Sequence, residues 1–463
     1  MSRQFLSLTA TALLSCIGAP AYAQSSVPVV QLHVLEDKAP AASTTVAAPV
    51  ETSCDVCSPA AAAALNFGGP WQTRSKLTGD WGGFRNDLAN CHGITFDGSL
   101  TQFYQGIDSG GREQKYFYGA RMDNLINIDG EKLGLMKGSF LNLHAETLFG
   151  ESANYAAGTI FPISLGQVFP VPDDNVTALT GIKYTQFLSK NVAVFGGKIN
   201  TLDGFTQPYA GGRGVDAFMN MSFGLPLVLA RTVPYSTWGG GLAVLNDKEE
   251  IVFSLAAFDT NNTPTTTGFN SFFDNGVTLL AQATLPVTIN GLPGHQSIGA
   301  SYSTGSYRSI DRNSYFDPNQ GAFIPSPIEQ GSWSIFYLFD QALFADCCNP
   351  KRTWGIFGNL GIADDNPSPI RWAGNIGFGG ASLATSRQYD TWGVGYFYNG
   401  LSNNVKNFAP NVLQVGDESG VELFYNLGVT PYWHITPDFQ VILPGRERTD
   451  TTFALGLRMK LDF

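Results

Sequence analysis

Charge is what this chain has least of. Asp, Glu, Lys and Arg make up 14% of its 463 residues, against about a quarter in ordinary soluble domains. The balance that remains is acidic, −11, which argues against nucleic acid as a partner. Long apolar runs are missing too. Beyond the N-terminal segment no stretch of 18 apolar residues occurs without charge, which excludes a bundle of membrane-spanning helices. Histidine is sparse, 5 in all, and no Ser/His/Asp set, phosphate-binding loop or H-E-x-x-H pattern is present. The sequence therefore reads as a non-enzyme, with no cofactor and no metal. Cysteine is equally thin. Cys54 and Cys57 form one C-x-x-C in an Ala/Pro-rich stretch, but no second pair or histidine pair completes a zinc set. Cys91, Cys347 and Cys348 carry no recognisable chemistry, and an odd count after removal of Cys16 leaves at least one thiol unpaired within a monomer.

Aromatics and glycine are abundant, with 13% Phe/Trp/Tyr and 52 Gly, yet mean hydropathy is close to zero at −0.02. Apolar and polar residues are thus finely mixed. The first 23 residues have the form of an export signal: Arg3, the apolar "FLSLTATALL", and "AYA" before Gln24. Residues 24–70 read as a low-complexity periplasmic linker rich in Ala and Pro. Residues 71–93 then hold "LTGDWGGFRNDLANCHG", in which Leu77, Trp81, Phe84, Leu88 and Cys91 recur at helical spacing. Thr78 is the expected N-cap and Gly93 the expected stop. This short helix is expected on the periplasmic side, with Trp81, Phe84 and Leu88 packed on the rim or inner wall of the strand region that begins at Ile94.

From Ile94 onward the period is two. In "TTFALGLRMKLDF", Phe453, Leu455, Leu457, Met459, Leu461 and Phe463 face one way, and Thr452, Arg458, Lys460 and Asp462 the other. Sixteen such segments are predicted, near 94–105, 115–129, 138–149, 177–189, 191–200, 234–246, 249–259, 275–286, 295–305, 330–344, 352–363, 370–380, 388–400, 419–433, 435–444 and 449–463. Connections after even-numbered segments are short. Several after odd-numbered ones are long, at 150–176, 201–233, 260–274, 306–329 and 401–418. An even count, strands near ten residues and this asymmetry of loops describe a transmembrane antiparallel β-barrel with both ends periplasmic, the fold class expected for residues 94–463. Trp238, Trp333, Trp354, Trp372, Trp392 and Trp433 near strand ends fit interfacial girdles. A soluble sandwich of this size would be unusual.

Parity places Arg121, Asp123, Glu146, Lys198, Glu422, Arg458 and Lys460 inside the barrel, with the aromatics Phe103, Phe336 and Tyr432. The 201–233 loop adds Asp203, Arg213, Asp216 and Arg231, with glycines that permit tight turns. Mixed donors and acceptors suit a polar solute. They equally suit wall ion pairs that brace a barrel, and the aromatics either stack on a solute or fill space beside a plug.

Three blocks, in order, resemble the carbohydrate-selective porins of the OprB type: "LTGDWGGFRNDL" before the first strand, "FGGKINTLDGF" at 195–205, and "ELFYNLGVTPYWHITPDFQVILPG" at 422–445. The resemblance spans about 70–463 and implies a sixteen-stranded outer-membrane porin for passive diffusion of glucose and similar sugars. The candidate pore-lining set is Lys198, Asp203, Arg121, Asp123, Glu146, Glu422, Arg213 and Asp216, with Lys198 and Asp203 foremost because they lie on the second block. Expected partners are small sugars and outer-membrane lipid, with cell wall within reach of the linker and either a monomer or a homotrimer as the assembly. The readings to beat are a general diffusion porin, a structural or cell-wall-linked envelope barrel, and a barrel enzyme.

Overall fold

A computed structural model describes residues 67–463 except 205–206, 312–314, 318–321, 348, 385 and 408–413. The expected signal segment, nearly all of the expected linker, Cys54, Cys57 and Cys348 lie outside the described residues. Cys91 and Cys347 are free and exposed.

Alternation of apolar and polar residues produces strands wherever it occurs. The strands are β1 (Ile94–Gly111), β2 (Tyr116–Asp129), β3 (Ser139–Gly150), β4 (Val176–Ser189), β5 (Val192–Asn200), β6 (Ser236–Leu245), β7 (Ile251–Asp259), β8 (Val277–Ile289) and β9 (Leu292–Arg308). After a small hairpin, β10 (Tyr315–Asp317) and β11 (Ala322–Ile324), come β12 (Ile328–Ala345), β13 (Thr353–Ala363), β14 (Ile370–Ala381), β15 (Thr391–Leu401), β16 (Glu418–Thr430), β17 (Trp433–Leu443) and β18 (Asp450–Asp462). Sixteen of them form one closed antiparallel barrel in which β1 pairs with β18. All sixteen predicted segments are there. The β10–β11 hairpin, which stands apart in the β9–β12 connection, is not among them.

Closure leaves no sheet edge, and the outer face carries an apolar belt. Leu279, Ile298, Tyr302, Ile335, Leu360 and Leu457 are all exposed there. Such a surface suits lipid rather than water.

The interior is not simply hollow. The connections 151–175 (β3 to β4) and 201–235 (β5 to β6) turn into the barrel and bury Phe161, Leu165, Phe169, Phe218, Phe223 and Val228. These meet Phe195, Phe258, Phe336, Phe357, Phe397 and Phe424 of the wall. Each ring removed from water contributes about 1.5–3 kcal/mol, so the inward course of these loops has a clear driving force. Room for them comes from glycine on the wall. A Cβ on Gly393 would stand 2.5 Å from the Phe424 ring and 2.8 Å from Phe218, and one on Gly395 would stand 2.5 Å from Phe223.

The same packing decides the role of the inward aromatics. Phe103 lies against Val215 and Met219, and Phe336 joins the cluster containing Val228. Tyr432 is buried, with the Arg74 guanidinium 5.7 Å from its ring. Phe103 and Phe336 fill space beside the inward loops, and Tyr432 lies beside the segment that precedes β1.

The segment before β1 departs from expectation. Its helix, α1 (Phe84–Cys91), follows a turn at Trp81–Gly83. Gly83, not Thr78, stands at its N-cap, and the Asp80 carboxylate, further back, accepts from the Asn86 backbone N–H at 2.7 Å. Trp81 and Phe84 are exposed, and the buried face is Arg85 and Ala89. Arg85 donates to the carbonyl oxygens of Phe96 at 2.5 Å and Phe463 at 3.0 Å, so one guanidinium joins the first strand to the last residue. Polar tethering to backbone at the barrel seam, rather than apolar contact through Trp81 and Phe84, docks this helix. Gly93 does end it, at φ 67°.

Candidate functional site

Two kinds of inward charge emerge. The first kind holds the loops. The Glu422 carboxylate accepts from the backbone N–H of Met219 at 2.5 Å and of Asn220 at 2.9 Å. Glu418 accepts from Ile160 at 2.6 Å and Phe161 at 3.1 Å. Arg458 donates to the carbonyls of Gly214, Ala217 and Asp216 at 2.9, 2.8 and 3.0 Å. Asn375 and Gln440 reach the carbonyls of Ser222 and Ile163. Backbone of a loop buried inside a barrel has no water to turn to, so the wall must satisfy it. Glu422 is therefore fully buried against loop backbone, and Asp216 of that loop pairs with Lys460 of β18.

The second kind converges on β2, β3 and the start of the 201–235 loop. Arg121 and Asp123 sit two apart on one face of β2, and the Arg121 Nε lies 3.0 Å from the Asp123 carboxylate. Arg121 also pairs with Glu146 of β3 and donates to the Phe169 carbonyl at 3.3 Å. His144, two residues before Glu146, bridges wall and loop: Nε2 is 3.1 Å from Asp123, and Nδ1 is 2.8 Å from Asp203. Arg213 Nη1 lies 2.9 Å from Asp203, 3.1 Å from His144 Nε2 and 3.5 Å from Asp123. Asn200 donates to Glu146, to Thr180 and to the Tyr235 hydroxyl.

Backbone geometry aims Arg213. It has φ 54° between Gly212 at 109° and Gly214 at 77°. A left-handed turn is costly for a long side chain. Here the guanidinium's carboxylate neighbours, Asp123 and Asp203, offset that cost. Asp123 and His144 are buried, whereas the side chains of Asp203 and Arg213 keep 23% and 16% of their surface. The pair is the part of this network that water reaches.

The charges tune one another. Burial pushes the Asp203 carboxyl up, but His144, Arg213 and Lys183 outweigh it and hold it below the usual carboxylate range. Burial lowers Arg213, but Asp123 and Asp203 raise it above its ordinary value. Asp123, His144 and Glu146 bring three donor atoms within 4.8 Å of one another. Arg121 and Arg213 already stand where a metal ion would neutralise them.

Of the eight predicted residues, Arg121, Asp123, Glu146, Asp203 and Arg213 meet in this one network. Asp216 and Glu422 belong to the loop anchorage. Lys198 joins neither: its Nζ donates to the carbonyls of Leu179, Pro264 and Thr266, at 3.1, 3.5 and 2.7 Å, and is enclosed by the β7–β8 connection. The phase of β5 explains this. Phe195 packs into the core, Gly197 takes φ 135°, and Lys198 pairs across the ladder with Trp238, whose indole also bonds that connection. His144, Asn200, Lys183 and Tyr235 were missed. The apolar "AFMNMSFGLPLVLA" within the 201–233 loop was the further signal that this loop turns inward.

The sequence profile of the carbohydrate-selective porins, OprB family, matches residues 113–463. The chain belongs to this family. The porin's "LTGDWGGFRNDL" block precedes the matched span. A comparison with curated proteins finds no match. Among solved structures, the porin is similar to the high-pH structure of Pseudomonas putida OprB, with a TM-score of 0.73 and 20% identity, covering 85% of this chain and 100% of that one. The low-pH structure of the same protein gives a TM-score of 0.52 at 16% identity over 85% and 99% of the two chains. Both matches speak to fold: a porin barrel. Family and fold together point to the outer membrane of a Gram-negative bacterium and to a channel rather than an enzyme.

Proposed function

We propose that this porin carries small neutral sugars such as glucose passively across the outer membrane, and that Asp203 and Arg213 are the groups the sugar meets at the narrowest part of its path. The pair supports this reading because it combines, within the inward network, an acceptor and a donor that both keep water exposure. A sugar hydroxyl donates and accepts at once, so a carboxylate beside a guanidinium replaces both of its water contacts as hydration is shed. The pair is already internally satisfied, which keeps binding weak enough for release. Asp123, His144 and Glu146 do not touch the solute in this scheme. They fix the two groups that do.

Liposome swelling tests the reading. Glucose is expected to enter faster than an amino acid of equal size. Equal rates would leave a general diffusion pore, and no conductance in a planar bilayer would leave a closed structural barrel.

A further inference from the structure

We infer that the Tyr235–Phe169 ring pair is a latch between the two inward loops and sets the size limit of the pore, separately from the chemistry at Asp203 and Arg213; this rests on the channel reading above. The two rings come from different loops and stack at 4.0 Å between centroids and 11° between planes. Both are buried, at 0% and 2% exposure. Neither is gripped by its ring alone. The Tyr235 hydroxyl donates to Glu146 and accepts from Asn200. The Phe169 carbonyl accepts from Arg121, which in turn pairs with Glu146. Ring contact and polar contact thus converge on Glu146 from both loops, so each loop's position depends on the other's.

Elsewhere the loops are tied through backbone, Leu165 N–H to the Met219 carbonyl and Met221 N–H to that of Pro162. Those ties survive loss of the latch, so its removal loosens the loops without releasing them. Asn200, held by Tyr235, is three residues before Asp203. The latch therefore controls how far the charged pair stands from the opposite side of the lumen while leaving its charges in place. Tyr235 and Phe169 act on that pair through Asn200, Glu146 and Arg121, and they are positioning residues.

The test compares Phe169→Ala, Phe169→Leu, Tyr235→Leu and Tyr235→Phe in planar bilayers, with neutral polymers of graded size as blockers and heat-modifiable gel mobility as the check on folding. Loss of the stack in Phe169→Ala and Tyr235→Leu is expected to raise conductance and admit larger polymers, with the reversal potential in a salt gradient unchanged. Tyr235→Phe keeps the stack and is expected to shift the polymer limit least. An unchanged limit in folded Phe169→Ala or Tyr235→Leu overturns the proposal. If Phe169→Ala does not fold, Phe169→Leu and Tyr235→Leu decide it alone. The polymer limit does not depend on sugar preference, so equal glucose and amino-acid rates in the unmodified porin would defeat the sugar reading and leave the latch to be judged by itself.

Discussion

Glu422 and Asp203 are both acidic and both lie inside the barrel, yet they answer to different partners. Glu422 is fully buried, and its oxygens are taken by two loop N–H groups. Asp203 keeps 23% of its side-chain surface, and its oxygens face His144 and Arg213. An inward charge met by backbone holds a loop inside the barrel. An inward charge met by wall side chains and by water is the kind that our proposal gives to the solute. Facing inward does not by itself separate the two roles.

Substitutions should separate them, and the largest effect belongs to the anchor. Glu422→Ala leaves two N–H groups buried without acceptors, at ~1–3 kcal/mol each. Lower thermal stability, higher conductance and weaker discrimination among solutes are expected, read by gel mobility after heating and by bilayer recording. Arg213→Ala comes next. It strips the cation from between Asp123 and Asp203, so reversal potentials should shift toward cation preference while the barrel stays folded. Arg213→Lys should recover only part of the loss, because a point charge does not reproduce the guanidinium's reach. A smaller, pH-dependent effect comes from Asp203. Its carboxyl is held below the unfolded value of about 3.9. A depressed carboxyl contributes stability that is complete above the unfolded value and is lost as pH falls through the folded one. The Asp203 contribution should therefore be constant from neutral pH to about 4 and be lost below it, and Asp203→Asn should lessen the fall in stability on the acid side. Lys198→Ala should matter least to flux, since three carbonyls enclose its ammonium away from the network.

The barrel was legible because a strand with one face in lipid and one inside writes its period of two directly into the residues. Parity places Arg121, Asp123 and Glu146 correctly on the inner face. It puts His144 on that face too, but nothing in "LNLHAETL" tells that Asp203, fifty-nine residues on, would complete the bridge. Lys198 shows the reverse failure: the family-like block around it favours it, and the phase of β5 sends it elsewhere. Loop anchors and the water-reached charged pair could not be told apart because the difference lies in loop backbone, which carries no side-chain pattern. The apolar content of 217–230 was the readable hint that this long loop packs inside the barrel along most of its length.

The most direct test sets Arg213→Ala beside Lys198→Ala in liposomes and reads the swelling rate for glucose over that for an amino acid of equal size. The account predicts that the ratio falls toward one in Arg213→Ala and stays at the unmodified value in Lys198→Ala. An unchanged ratio in Arg213→Ala, or a collapse in Lys198→Ala, would contradict it.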